Sequence, residues 1–397
     1  MVSSRVRVGR AKSPAMMMAW IILIFAGSRT VQAQEPEVVH NRFRAPARGA
    51  PELVQEVVIG LDGPEEQLFY RPSGLFLDDA GNVYVPDGSH HSILVFDREG
   101  TFLYQIGKEG SGPGEINSPS HAYLAWNGEL VIPDMQSQRT SYFTKEGEFL
   151  RSRGMGGSNM RIVVGPAIGQ IPTVSGEYIK PGPPVLPFMP EGMEGMDRGE
   201  SMLIEVVDDS GAVIRSFGER WTHEDRHLAN ILNNISLGWS PQGHIAVAPT
   251  YFDEIQVYDA ASGEVELRFD RGLAFNPREP SADLEEQQSP DGSEIRVMLT
   301  VNADQITLDV AFDREGRIWV LTYLTGENER EELEEEGDYA GLVRLEVFSP
   351  DGALLAGIPL EEPATRIEFG PGGELWLLDT DYSVSARRYR VVWPQNQ

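Results

Sequence analysis

The sequence predicts an all-β fold, and three observations predict it. Residues Arg71–Gly107 recur as Ser118–Gly154 without a gap, keeping a turn glycine (Gly81, Gly128), a Pro-Asp pair (Pro86-Asp87, Pro133-Asp134) and a Glu-Gly turn (Glu99-Gly100, Glu146-Gly147) in register. Asp87 and Asp134 stand 47 residues apart. Short runs of alternating β-branched and aromatic residues then continue along the chain, punctuated by turns such as Ser262-Gly263, Asp351-Gly352 and Pro371–Gly373. No long stretch carries the 3.6-residue apolar period of a buried helix. A strand-only repeat of this length is the pattern of a β-propeller blade.

Each blade is anchored by the glycine between its first two strands: Gly81, Gly128, Gly169, Gly243, Gly316 and Gly373. That predicts a six-bladed β-propeller. The inner strands fall at Leu75–Leu77, Ala122–Leu124, Val163–Gly165, Leu237–Trp239, Val310–Phe312 and Ile367–Phe369. Blade three fits least well, with Pro172 at a second-strand position. Two long intervals are assigned to loops, one containing Pro181–Glu200 and one Phe275–Gly292. A third insertion, Gly326–Asp338, separates the second and third strands of blade five. The last blade has only three strands: Arg366–Phe369, Glu374–Asp379 and Ala386–Trp393. Leu53–Gly60 precedes blade one without a partner. It is expected to supply the missing outer strand and close the ring, which removes free sheet edges. Residues 51–393 are therefore read as a single propeller, with 394–397 as a tail.

The N-terminus reads as a separate element. Arg5, Arg7, Arg10 and Lys12 precede the apolar run Met16–Ala26, and Val31-Gln32-Ala33 places compact residues at a cleavage site. This is the pattern of a cleavable export signal over residues 1–33, too short in its apolar run to be a comfortable membrane span. Residues 34–50 show no periodicity and are read as a flexible leader. With Cys 0 there is neither a disulfide nor a lipid-attachment cysteine. The expected protein is exported and bacterial, periplasmic or secreted, without a transmembrane anchor after cleavage, and monomeric. The whole chain has formal charge −28. Losing the basic signal makes it more acidic still. Such a surface repels nucleic acid, whose phosphates need clustered Lys and Arg.

The residues Pro72-Ser73-Gly74, Asp79–Val85, Asp87, Ile93–Asp97 and Gly100 resemble an NHL-type repeat of the secreted bacterial six-bladed propellers. The Gly-rich connection Gly107–Glu115 resembles the inter-blade linker of that group. The resemblance implies the fold. For function it implies a range, from binding scaffolds to lyases and lactonase relatives.

Chemical motifs are few. There is no Gly-x-Ser-x-Gly elbow, no phosphate-binding Gly loop and no His-Glu-x-x-His. His90-His91 reads as an exposed turn, because neighbours on a strand face opposite ways. His223 and His227 would share a face if WTHEDRHLAN were helical, yet no third metal ligand is identifiable. Asp87, Asp134 and Asp379 recur at the end of the second strand and read as residues that shape the turn to the third. The acidic run Glu329–Asp338 reads as a solvated loop. The repeat itself offers a sharper candidate. The position just before each inner strand is Gly74, His121, Ile162, Ser236, Asp309 and Arg366, and these should ring one mouth of the central channel. His121, Asp309 and Arg366 bear ionisable groups there and form the candidate ligand-binding site. An Asp309–Arg366 ion pair between blades is the structural alternative.

Two functions stay open on the sequence. One is a non-catalytic propeller that binds a small ligand or a protein partner at one face, without a cofactor. Its Met- and Pro-rich segment Pro181–Glu200 would be an adaptable contact. The other is a metal-assisted, lactonase-like hydrolase or lyase, with Ca or Zn at the channel mouth.

Overall fold

The computed structural model describes residues 36–42, 49–120, 122–134, 136–154, 171–172, 176–182, 202–208, 211–288 and 295–394. It is an all-β six-bladed propeller. Blade one is Phe76–Leu77, Val83–Asp87, Ser92–Phe96 and Phe102–Ile106, each strand antiparallel to the next. Blade two repeats this with Tyr123–Leu124, Leu130–Asp134, Arg139–Phe143 and Phe149–Gly154. Blade four spans Ile235–Trp239 to Val265–Asp270, and blade five Thr307–Phe312 to Leu354–Pro359. Blade six is Arg366–Phe369, Leu375–Asp379 and Ser385–Val392, with Glu52–Ile59 hydrogen-bonded along its outer edge.

The core is six layers, not one. Each apolar cluster lies between consecutive blades. Tyr84, Ile93 and Ile106 of blade one meet Leu130 and Phe143 of blade two. Trp319 and Leu345 of blade five meet Ile367 and Leu375 of blade six. Ile59, Trp376 and Ala386 of blade six meet Val83 and Leu94 of blade one. Alternation explains this, because each second-strand residue buries one face or the other against a neighbouring blade. All of Val83–Asp87 and Ile318–Tyr323 is buried.

The turn glycines before the outer strands have a shared job. Gly100, Gly263 and Gly352 all have positive φ (85°, 74° and 82°). A Cβ on them would stand 2.5 Å from Val57, 2.8 Å from Phe217 and 3.1 Å from Phe269, each on the outer strand of the preceding blade. Only glycine meets both demands.

Recurring aspartates fix the second turn. Asp87 is fully buried. It accepts from the Tyr70, Arg71, Ser89 and His90 backbone N–H groups at 2.8–3.2 Å. Asp134 does the same for Asn117, Ser118 and Ser137. Asp379 takes Asp381, Tyr382 and Ser383. One carboxylate thus ties the end of the second strand to the turn after it.

Four expectations are corrected. Blade three is built from Ile171–Pro172, Tyr178–Pro181, Ile204–Val207 and Val213–Phe217. Its inner strand is therefore not Val163–Gly165, and its anchoring glycine is Gly176 (φ 80°), not Gly169. Pro172 misled the alignment: it closes the short inner strand, where no further ladder N–H is needed. The flexible leader is in part a strand. Val38–Val39 pairs parallel with Arg268–Phe269 on the outer edge of blade four. Asn41 then bridges two blades, donating to the Asp270 and Gly352 carbonyls and accepting from Leu354 N–H, all at 2.8 Å. Within Phe275–Gly292, Ser281–Gln288 pairs antiparallel with Ile295–Asn302 as a hairpin. The acidic run is a helix, Glu327–Glu336, capped by Asp304 accepting from Glu327 N–H at 2.8 Å and closed by left-handed Gly337. Its single apolar anchor, Leu333, gives no period to detect, while Glu and Arg have high helix propensity.

The export signal lies outside the described residues, as does most of Pro181–Glu200. Among the described residues no helix is long and apolar enough to cross a membrane.

Candidate functional site

The inner strands surround an axial cavity of about 520 Å³. Side chains alternate along each inner strand. The positions of Leu75, Leu237, Val310 and Ile367 are buried in the inter-blade layers. The positions on either side of them look onto the channel. Gly74, Ser236, Asp309 and Arg366 form one row of its wall. Phe76, Tyr123, Gly238, Ala311 and Glu368 form the next.

Of the three residues chosen from sequence, Asp309 and Arg366 line this one cavity. His121 lies outside the described residues, although its neighbour Ala122 lines the cavity too. Ile162, the blade-three residue placed in this row from sequence, also lies outside the described residues. The Asp309–Arg366 ion pair does not form. Arg366 donates Nη1 to the Thr365 carbonyl at 2.7 Å. Asp309 Oδ2 accepts from Ile367 N–H at 3.1 Å, and Oδ1 from its own neighbour Val310 at 3.0 Å. A carboxylate accepting from a backbone N–H, not a charge pair, therefore joins blade five to blade six here.

Glu368 is the residue that sequence reasoning missed. It sits two positions beyond Arg366, so the same repeat alignment read one row deeper would have found it. Its carboxyl has no hydrogen-bond partner among the described residues. Burial first, and the nearby Asp309 carboxyl second, push it up to about 8. Burial also raises Asp309, to about 6, against the pull of Arg366 and its two N–H donors.

These carboxyls make a pH prediction. A carboxyl whose folded pKa exceeds its unfolded value holds its proton longer in the folded state. Stability then falls as pH rises across the gap, here from 4.5 to about 8 for Glu368. Each tenfold step in proton affinity is worth about 1.4 kcal/mol, and water in the cavity screens part of it. Glu368→Gln is expected to leave melting unchanged at pH 5 and to stabilise the chain at pH 8.5 by about 2 kcal/mol. Thermal melts across that range check it, and parallel pH profiles for both proteins would remove the assignment.

Among the described residues the histidine pairs form no cluster that could hold a metal. The helix Arg226–Leu232 begins after His223, so His223 and His227 share no helical face. His223 Nδ1 instead accepts from Asp225 N–H at 2.9 Å. His90 bonds the Leu68 carbonyl at 2.8 Å and His91 that of Asn117 at 2.5 Å. No three His, Asp or Glu side chains converge among the described residues. At the channel, the described residues offer two carboxyls, Asp309 and Glu368, fewer than the three protein ligands of a catalytic Zn site or the six oxygens of a Ca site.

Comparison with known proteins agrees on architecture. Residues 49–164 match the model of a family described as "6-bladed beta-propeller". A segment of 72 residues is 35% identical to RING finger protein nhl-1 of Caenorhabditis elegans, covering 18% of this chain and 7% of that protein. The chain thus spans a small fraction of that curated relative. A member of the DUF4221 family from Bacteroides vulgatus superposes with TM-score 0.55 at 12% identity, covering 86% of this chain and 98% of that one. A Bacteroides fragilis protein superposes with TM-score 0.53 at 10% identity, covering 91% and 100%. These likenesses place the chain among β-propellers and show the fold alone.

Proposed function

We propose that this protein is an exported, monomeric, non-catalytic propeller that binds a small ligand in its axial channel. The observation that carries the reading is the distribution of chemistry in the cavity. Apolar and aromatic side chains dominate its wall, and three polar groups with bonding capacity left, Asp309, Arg366 and Glu368, come from adjacent blades. Concave, mostly apolar sites with a few convergent polar groups are what small ligands occupy. The N-terminal export pattern and the acidic composition support a role outside the cytoplasm. The metal-assisted hydrolase or lyase would need donors from outside the described residues, so binding is the reading advanced.

A plug tests it. Ala311 lines the cavity at the level of Glu368. Ala311→Trp fills the space; because Ala311 also packs against the layer between blades five and six, circular dichroism and melting of the variant are the control for that layer. Small-molecule hits found by thermal shift on the wild-type chain should vanish in this variant at unchanged fold. Hits that persist with full affinity would move the site off the channel.

A further inference from the structure

We propose that the channel selects an organic amine with an aromatic or alicyclic body, its ammonium held by Asp309 and Glu368. This rests on the channel being the binding site. The argument begins with what each polar group has left to give. Among the described residues, the titratable and charged ones of the wall are Tyr123 from blade two, Asp309, Asp313 and Arg314 from blade five, and Arg366 and Glu368 from blade six. Asp313 is spent, accepting from Arg317 Nε at 2.6 Å and Trp319 Nε1 at 2.8 Å. Arg314 is exposed and follows the inner strand, at the opposite end of it from Asp309. Arg366 donates one of its five N–H groups to the Thr365 carbonyl, and its single positive charge acts on the Asp309 carboxyl. That leaves two carboxyls with free lone pairs. Asp309 accepts only one backbone N–H on each oxygen, and Glu368 accepts nothing. Two carboxyls face one guanidinium in this wall, so the surplus is in acceptors, and a donor-rich cation matches it.

The opposite arc supplies the second half. Blades one, two and four present Phe76, Tyr123 and Trp239 to the same cavity. Phe76 is held by stacking on Tyr84, with ring centroids 5.2 Å apart, and Tyr123 by Tyr178 at 5.5 Å. Fixed aromatic faces attract cations as well as apolar bodies. The whole-chain charge of −28 concentrates cations around the protein before they reach the channel.

Three probes of one shape separate the alternatives: phenethylamine, 2-phenylethanol and phenylacetate, titrated calorimetrically at pH 7.5 against the full mature chain. Phenethylamine should bind at least tenfold more tightly than the alcohol. Because the ammonium favours ionised Glu368, its binding should release protons, read as a dependence of heat on buffer ionisation enthalpy. Glu368→Gln should abolish both the preference and the proton release, and Asp309→Asn should weaken binding at least tenfold. Preferred binding of phenylacetate, lost in Arg366→Ala, would overturn the amine assignment and leave the channel reading standing. Equal binding of all three probes, unaffected by Glu368→Gln, would also overturn it. If phenethylamine binds equally well to Ala311→Trp, both the amine site and the channel reading fall.

Discussion

A chain lacking Glu52–Ile59 is expected to lose most of its stability and to self-associate. That segment pairs with Ser385–Val392 over seven register positions, from Glu52 opposite Val392 to Ile59 opposite Ala386. Its removal strips the ladder from one edge and leaves unpaired N–H and C=O groups on an eight-residue strand. It also takes Ile59 out of the layer between blades six and one, and Val57 out from under Gly100. Burying one Ile is worth about 2 kcal/mol and each net hydrogen bond about 1 kcal/mol. The sum exceeds about 5 kcal/mol, which is the lower range of a whole domain's stability. Size-exclusion chromatography and melting of the truncated chain read the outcome. A monomer with unchanged melting would mean that blade six does not need its outer strand. Ile59→Ala gives the graded version, about 2–5 kcal/mol of loss without exposing the edge.

The fold was legible where repeats carry their own punctuation. In blades one, two, four, five and six, the turn glycine and the inner strand before it are local features, and the structure keeps them. Blade three was misaligned by one turn because its glycine signal is duplicated at Gly169 and Gly176, and Pro172 disfavoured the true strand. Asn41 and Val38–Val39 were not legible. Two valines signal no strand alone, and their partners lie more than 200 residues away. The channel row was half legible. Period two along the inner strand identifies Asp309 and Arg366. The same logic reaches Glu368 only after one asks which second row lines the same wall. What no pattern reveals is which carboxyl is left without a partner, because that depends on where neighbouring backbone N–H groups point.

The same limit hides Arg271, whose loss is expected to cost about 3–5 kcal/mol. Arg271 follows the outer strand of blade four and is fully buried. Its guanidinium donates to the Phe252 carbonyl at 3.0 Å and to Thr307 Oγ1 of blade five at 2.8 Å. Glu346 lies buried on the third strand of blade five, with Arg344 Nη2 3.2 Å from its Oε1. Burial pushes the Glu346 carboxyl up, and Arg271, then Arg344, pull it back down. The three charges therefore hold one another in an apolar layer. Arg271→Ala removes the cation that acts most on Glu346 and strands the Phe252 carbonyl in the interface. Because Glu346 is then freer to keep a proton, the deficit should grow as pH rises and shrink as pH falls and the carboxyl is protonated in both proteins. Arg271→Met keeps most of the volume and isolates the charge. Combining it with Glu346→Gln should cost less than the two single changes added, by about 1 kcal/mol or more. Denaturant melts of the four proteins at two pH values supply the cycle. Strict additivity would show that Arg271 stabilises the interface through its carbonyl and threonine contacts alone, with no part for the charge on Glu346.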